Sequence, residues 1–252
     1  MTQAVELVYG RRAVREALRG RREVLELLAT ERAAREDWER KPKIVREKTL
    51  TELAGTRDHQ GVVARVEPFK YADAYELAAG EPLIVALDQV TDPRNLGAVI
   101  RSAEGAGATG IVLPADNSAR VTPAVARASA GAVEHLPVAV VTNLSRYLKE
   151  IKGPQLWVYA ADAAGTPMAE ADLSGGLSLV FGAEGKGLRP LVRKTCDAAV
   201  SIPLAGHVES LNVSVAAAVL LYEARRQHSA VGSAEAPSSG GADLGGAGAT
   251  SA

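Results

Sequence analysis

The sequence predicts an α/β protein with a mostly parallel sheet, organised as two units of unequal size. From about Pro82 onward, short apolar runs alternate with helical patterns, as βα repeats require to lay parallel strands side by side. The composition is 47% hydrophobic but only 4% aromatic, so the core must be aliphatic, and Ala, Val and Leu suit helices laid on a parallel sheet. Charge is uneven along the chain. Residues 1–66 carry 15 Lys and Arg against 11 Asp and Glu, whereas 67–252 carry 14 against 19, so the net charge of −1 conceals a basic front.

Residues 1–66 read as a small mixed unit: a helix near 10–19, a strand at 24–30, a charged helix near 31–41 and a closing strand GVVARV at 61–66. The cluster Arg11, Arg12, Arg15, Arg19, Arg21 and Arg22 suits a phosphate backbone, and on charge alone it equally suits a solvated helix face. Residues 67–81 form a linker. The larger unit, 82–228, holds candidate strands at 83–90, 110–116, 135–141, 155–162, 177–184 and 198–204. Helical patterns fall at 95–106, 122–130, 143–152 and 188–196. A last helix, from Asn212 to about Gln227, is apolar around most of its circumference and is therefore buried on more than one side, within one subunit or also against a second. The Gly, Ala and Ser tail at 229–252 cannot bury enough surface to order itself.

Several function classes are excluded. The single cysteine, Cys196, cannot pair within the chain, and His59, His135, His207 and His228 lack metal-ligand spacing, so no metal is expected. No apolar run reaches the roughly 18 residues that span a bilayer, and the N-terminus lacks a signal-peptide core. A cytoplasmic protein without membrane or DNA partners is expected. The glycines at 105, 107 and 110 spell a dinucleotide fingerprint, but they close a helix and lead into a strand, the reverse of that motif's context. In GAEGKGL, Lys186 is followed by Gly187 where a phosphate-binding loop needs Ser or Thr.

Three segments do not read as ordinary core. In DQVTDPRNLGAVIRSA (88–103) a strand ends and a helix begins that carries Asn95 and Arg101, where open α/β sheets bind ligands. Taken alone, Asn95 could be an N-cap and Arg101 a surface ion-pair partner. In VFGAEGKGL (180–188), glycines bracket one acid, Glu184. In SIPLAGHVESLNVSVA (201–216), a loop leads through Ser210, Leu211 and Asn212 into the last helix, and Ser210 could be only its N-cap.

Together, in order and spacing, these segments closely resemble the three signature motifs of the SpoU/TrmH family of RNA ribose 2′-O-methyltransferases. The front segment, with VYGRRAVREAL and HQGVVARV, is similar to the ribosomal-protein-like RNA-binding domain of the RlmB branch. The resemblance implies a SPOUT-type deep trefoil knot, S-adenosylmethionine held by backbone around Gly182, Ile202 and Leu211, and a homodimer. It implies Arg101 as the catalytic arginine, with Asn95 and Glu184 fixing it and the target, and Ser210 and Asn212 bonding the substrate or its loop. Arginine stays protonated, so gripping phosphate or stabilising a developing alkoxide suits Arg101 better than acting as a base. The implied substrate is a guanosine of large-subunit rRNA. Transfer RNA and an antibiotic-resistance rRNA methylation are alternatives, and a non-catalytic ribosome-assembly factor is the alternative of another class.

Overall fold

The computed structural model describes residues 4–234. The front unit is a four-stranded sheet in the order β1-β4-β2-β3. Its elements are β1 (Glu6–Tyr9), α1 (Arg11–Arg19), β2 (Val24–Ala29), β3 (Lys43–Ile44), α2 (Glu47–Ala54) and β4 (Val62–Val66). β4 lies antiparallel to both β1 and β2, so its run VVARV is buried at every residue except Arg65.

The charged helix expected at 31–41 does not form; only a 3-10 turn at Ala33–Arg35 is present. The segment has too few apolar residues for a buried helical face, and Trp38 folds back to donate its indole N–H to the Ala33 carbonyl at 2.8 Å. Reading by periodicity also missed β1, β3 and α2, each of eight residues or fewer.

The second sheet has six strands in the order β10-β8-β9-β5-β6-β7, every pair parallel. These are β5 (Leu83–Asp88), β6 (Gly110–Pro114), β7 (Val138–Val141), β8 (Leu156–Pro167), β9 (Gly176–Gly182) and β10 (Ala198–Ser201). The helices are α3 (Pro93–Gly105), α4 (Pro123–Ala128), α5 (Leu144–Ile151), α6 (Pro190–Thr195) and α7 (Val213–Ala234). All six expected strands and all five expected helices are present, with trimmed ends; β8 runs on to Pro167. Central β5 is buried at every residue because helices cover both faces. One apolar layer, including Leu96, Ile100, Leu220 and Leu221, covers one face, and Leu144, Leu148 and Val192 belong to a second.

The glycines of the false dinucleotide motif do what their context implies: α3 ends at Gly105, Gly107 turns the chain with φ +72°, and Gly110 opens β6. Helix α7 continues to Ala234, into the stretch expected to be disordered, because adding residues to an existing helix needs no new nucleus. Residues 235–252 of that expected tail lie outside the described residues. Within the expected linker, Ala74 and Leu77 are buried, and the Ala74 carbonyl accepts from the Tyr147 hydroxyl at 2.8 Å.

The two sheets share one apolar cluster, from Val8 and Val14 to Val133 and Leu136. Arg22, 8% exposed, forks onto the fully buried Glu134 carboxylate at 2.5 and 2.9 Å and reaches Glu6 at 2.9 Å. Losing one partner leaves the other charge buried and unpaired. Replacing Arg22 with Ala is therefore expected to lower stability by about 3 kcal/mol in urea unfolding.

Candidate active site

Strands β5 and β9 pair in a register that sets Asp88 opposite Gly182 at their carboxyl ends. The Asp88 carboxylate is fully buried and accepts twice from Arg189, from its backbone N–H at 2.9 Å and Nε at 2.8 Å, with Nη2 in ion-pair contact at 2.7 Å. That clamp ties the entry of α6 to the end of β5. Between the two lies the 183–188 loop, closed by the Gly187 amide donating to the Ala183 carbonyl at 2.9 Å. A Cβ on Gly182 would overlap the Gly187 carbonyl, so this glycine admits the chain's own loop.

Helices α3 and α7 present their first turns to this loop. Asp92, not Asn95, caps α3, its Oδ1 accepting from the Arg94 amide at 2.8 Å, with Pro93 at the first helical position. Asn95 is thereby free to donate Nδ2 to Glu184 Oε1 at 3.0 Å. Asn212, not Ser210, caps α7: its Oδ1 accepts from the Ser214 amide at 2.9 Å and hydroxyl at 2.6 Å. Its Nδ2 donates to Asn95 Oδ1 at 3.1 Å and to Glu184 Oε1. Asn95, Glu184 and Asn212, 117 positions apart at the extremes, thus close a ring of hydrogen bonds with each amide used at both ends.

Two clefts meet at this ring. The larger, of about 880 Å³, is lined by Gly182, Ile202, Leu211, Ser210 and Asn212 together with Phe181 and Leu220. The smaller, of about 550 Å³, is lined by Gln89, Thr91, Asn95, Asn117 and Lys186. Glu184 and Lys186 belong to both. Gln89 and Asn117 hold left-handed backbone, with φ of 62° and 53°, a strain that clusters at functional sites.

Seven of the eight residues singled out from sequence therefore line this double cleft. Arg101 does not: it lies six positions beyond Asn95 on α3, on an exposed face, without a side-chain partner among the described residues. Sequence reading missed Asp88, Arg189, Lys186 and Asp162. Only the Asp-rich strand end at 88–92 and the Gly-Lys pair could have flagged any of them. Burial pushes the Cys196 thiol up to about 11, away from the thiolate form that a nucleophile needs. Among the described residues no group of His, Cys, Asp and Glu is arranged to hold a metal ion, and no helix is long and apolar enough to cross a membrane.

The profile of the SpoU rRNA Methylase family matches residues 82–222. The chain belongs to that family. As a SpoU member it is an RNA 2′-O-methyltransferase that uses S-adenosylmethionine. A second profile, RNA 2′-O ribose methyltransferase substrate binding, matches residues 7–72. The 23S rRNA (guanosine-2′-O-)-methyltransferase RlmB of Ralstonia nicotianae is 48% identical over 187 residues, 72% of this chain and 75% of that protein. RlmB of Shewanella oneidensis is 46% identical over 186 residues, 71% and 76% of the two chains. The SpoU methyltransferase AviRb from Streptomyces viridochromogenes, solved with AdoMet, aligns with TM-score 0.74 at 30% identity, covering 88% and 89%. An AdoMet-bound rRNA methyltransferase from Sinorhizobium meliloti aligns with TM-score 0.73 at 28% identity, covering 88% and 87%.

The larger cleft suits the SpoU cofactor on its own chemistry. Phe181, Ile202, Leu211 and Leu220 give it apolar walls, and its size falls in the range of small-molecule sites. Among the described residues, no backbone amide from Ile202 to Leu211 donates to a protein acceptor, so this largely exposed stretch keeps its donors open to solvent or to a ligand. Asp162, on the cleft wall, is held below the ordinary carboxylate range by the Ala164 amide at 3.0 Å and then by Arg193 Nε at 2.7 Å, so it stays ionised.

Two outcomes are expected. Gly182→Ala displaces the 183–187 loop and weakens S-adenosylmethionine binding tenfold or more by calorimetry, on the order of 1.4 kcal/mol. Because the folded Asp162 pKa is depressed, its contribution to stability is present above the unfolded value of about 3.9 and is lost as pH falls through the folded one. Asp162→Asn should therefore cost most stability near neutrality and progressively less below about pH 4 in chemical unfolding.

Proposed function

We propose that the chain methylates the ribose 2′-hydroxyl of a guanosine in 23S rRNA, as a cytoplasmic homodimer, with 1–66 binding RNA, 67–81 joining, and 82–228 catalytic. The observation that carries this reading is the meeting of two clefts at one hydrogen-bonded ring, because methyl transfer needs donor and acceptor sites that abut. Support for the rRNA guanosine comes from the RlmB relatives, which carry that activity in their names. Support for a second copy of the chain comes from Val215 and Tyr222, large hydrophobic side chains 48% and 55% exposed one heptad apart on α7. The threaded, knotted course belongs to the same reading, supported by the 182–188 and 201–212 segments sharing one cleft.

When bound, S-adenosylmethionine supplies an electrophilic methyl group, so no metal is needed. Gly182, Ile202 and Leu211 would hold it in the larger cleft. Glu184, restrained by Asn95 and Asn212, faces both clefts and orients the incoming hydroxyl. Ser210 lies on the same wall, exposed and without a side-chain partner among the described residues, available to the substrate. Arg101 lines neither cleft, so in this reading it works on the RNA from outside, holding a phosphate beside the target ribose and so positioning its hydroxyl.

The test is incubation of the purified protein with methyl-labelled S-adenosylmethionine and unmodified 23S rRNA or tRNA transcripts, followed by mapping of the label. One 2′-O-methylguanosine in 23S rRNA is expected. Label confined to tRNA would overturn the substrate, and cofactor binding without transfer to either RNA would overturn the reading for free RNA. Arg101→Ala is expected to lower kcat about 100-fold or more while leaving cofactor affinity unchanged by calorimetry.

A further inference from the structure

The arginines that stand out in the sequence are not the ones the folded front unit leaves free. Arg11 and Arg15 both pair with Glu36, at 2.8 and 2.7 Å, and Arg19 pairs with Glu39 at 2.5 Å. Arg21 donates to the His135 carbonyl at 2.7 Å, and Arg22 is locked onto Glu134. Of that cluster, Arg12 alone is left without a side-chain partner among the described residues.

On the same unit, Arg32, Arg35, Arg46 and Arg57 converge on an open cleft of about 1140 Å³. All four are exposed, and none has a side-chain hydrogen bond or ion pair among the described residues. They come from separate places: Arg32 precedes and Arg35 ends the 3-10 turn after β2, Arg46 precedes α2, and Arg57 follows it. The cleft also holds Arg11 and two acids, Glu31 and Glu47, so cations outnumber anions five to two along its wall.

The floor beneath them is rigid. His59 is 1% exposed; its Nδ1 accepts from the Gly61 amide at 3.0 Å, so Nε2 donates to Thr51 Oγ1 at 3.0 Å. Thr51 in turn donates to the Glu47 carbonyl at 3.2 Å, fastening the 59–61 turn to α2. Unpaired guanidinium groups crowded around a fixed concavity repel one another, and an anion with several binding points removes that repulsion. The ring among the lining residues is that of His59, which is buried and hydrogen-bonded at both nitrogens, so the cleft offers no exposed ring on which to stack an unpaired base.

We infer that this cleft is a phosphate-backbone site that grips the substrate RNA by shape, through Arg32, Arg35, Arg46 and Arg57. The inference rests on the proposed RNA substrate and deepens it by naming the surface and the chemical group recognised. Arginine's planar fork suits phosphate oxygens, and each phosphate neutralised adds to the salt dependence of binding.

The test uses the full chain and a fluorescein-labelled 23S rRNA transcript fragment, with affinity read by anisotropy from about 0.05 to 0.3 M KCl. In the quadruple variant R32Q/R35Q/R46Q/R57Q the slope of log affinity against log salt is expected to shrink by about 3, with at least a tenfold loss of affinity near 0.1 M salt. Far-UV dichroism and S-adenosylmethionine affinity should match the unaltered protein. The control K70Q/R146Q/K149Q/K194Q removes four exposed cations outside the cleft and is expected to change the slope by less than half as much. An unchanged slope in the cleft variant, or an equal change in the control, overturns the inference. If the unaltered protein binds rRNA through this cleft yet methylates none, the inference stands and the proposed reaction falls. If methylation is normal and the cleft variant binds as before, the reverse holds.

Discussion

A buried carboxylate at the end of the central strand organises this site. Asp88 has no access to solvent, so its charge is tolerable only because Arg189 satisfies it with two hydrogen bonds and an ion pair. Those bonds fix the start of α6 against the end of β5, and the β5–β9 register then leaves the glycine loop one course, across Gly182. Everything that meets Glu184 depends on where that loop runs.

Asn212 shows how one side chain links folding to chemistry. Its oxygen satisfies donors at the start of α7, which alone would account for its presence. Its nitrogen joins Asn95 and Glu184 and so couples the third motif to the other two. The amide cannot rotate without losing both sets of bonds, so the wall between the clefts is held in one geometry. Such preorganisation is what a transfer between two bound partners requires.

The front unit makes a related point about charge. Its arginine-rich stretch from Arg11 to Arg22 is largely engaged, with Glu36 and Glu39 inside the front unit and with Glu134 across to the second sheet's domain. The free positive surface comes instead from arginines scattered over turns, which no local charge count would group. Linear clustering measures proximity along the chain, and electrostatic recognition depends on proximity in space.

The aliphatic runs and glycine breaks of 82–228 were sufficient by themselves to determine a parallel α/β architecture, since strand and helix periods are local properties of the chain. The motif residues were legible for the same reason: Asn95, Glu184, Ser210 and Asn212 sit at strand-to-helix junctions that local pattern marks. Short elements such as β1, β3 and α2 were not, because they are held by partners distant in sequence and not by their own periodicity. How Asn95 and Asn212 meet at Glu184, and which arginines are paired, were decided only by tertiary structure. Each depends on a contact between segments tens of residues apart, and hydrogen bonding and charge pairing act through space.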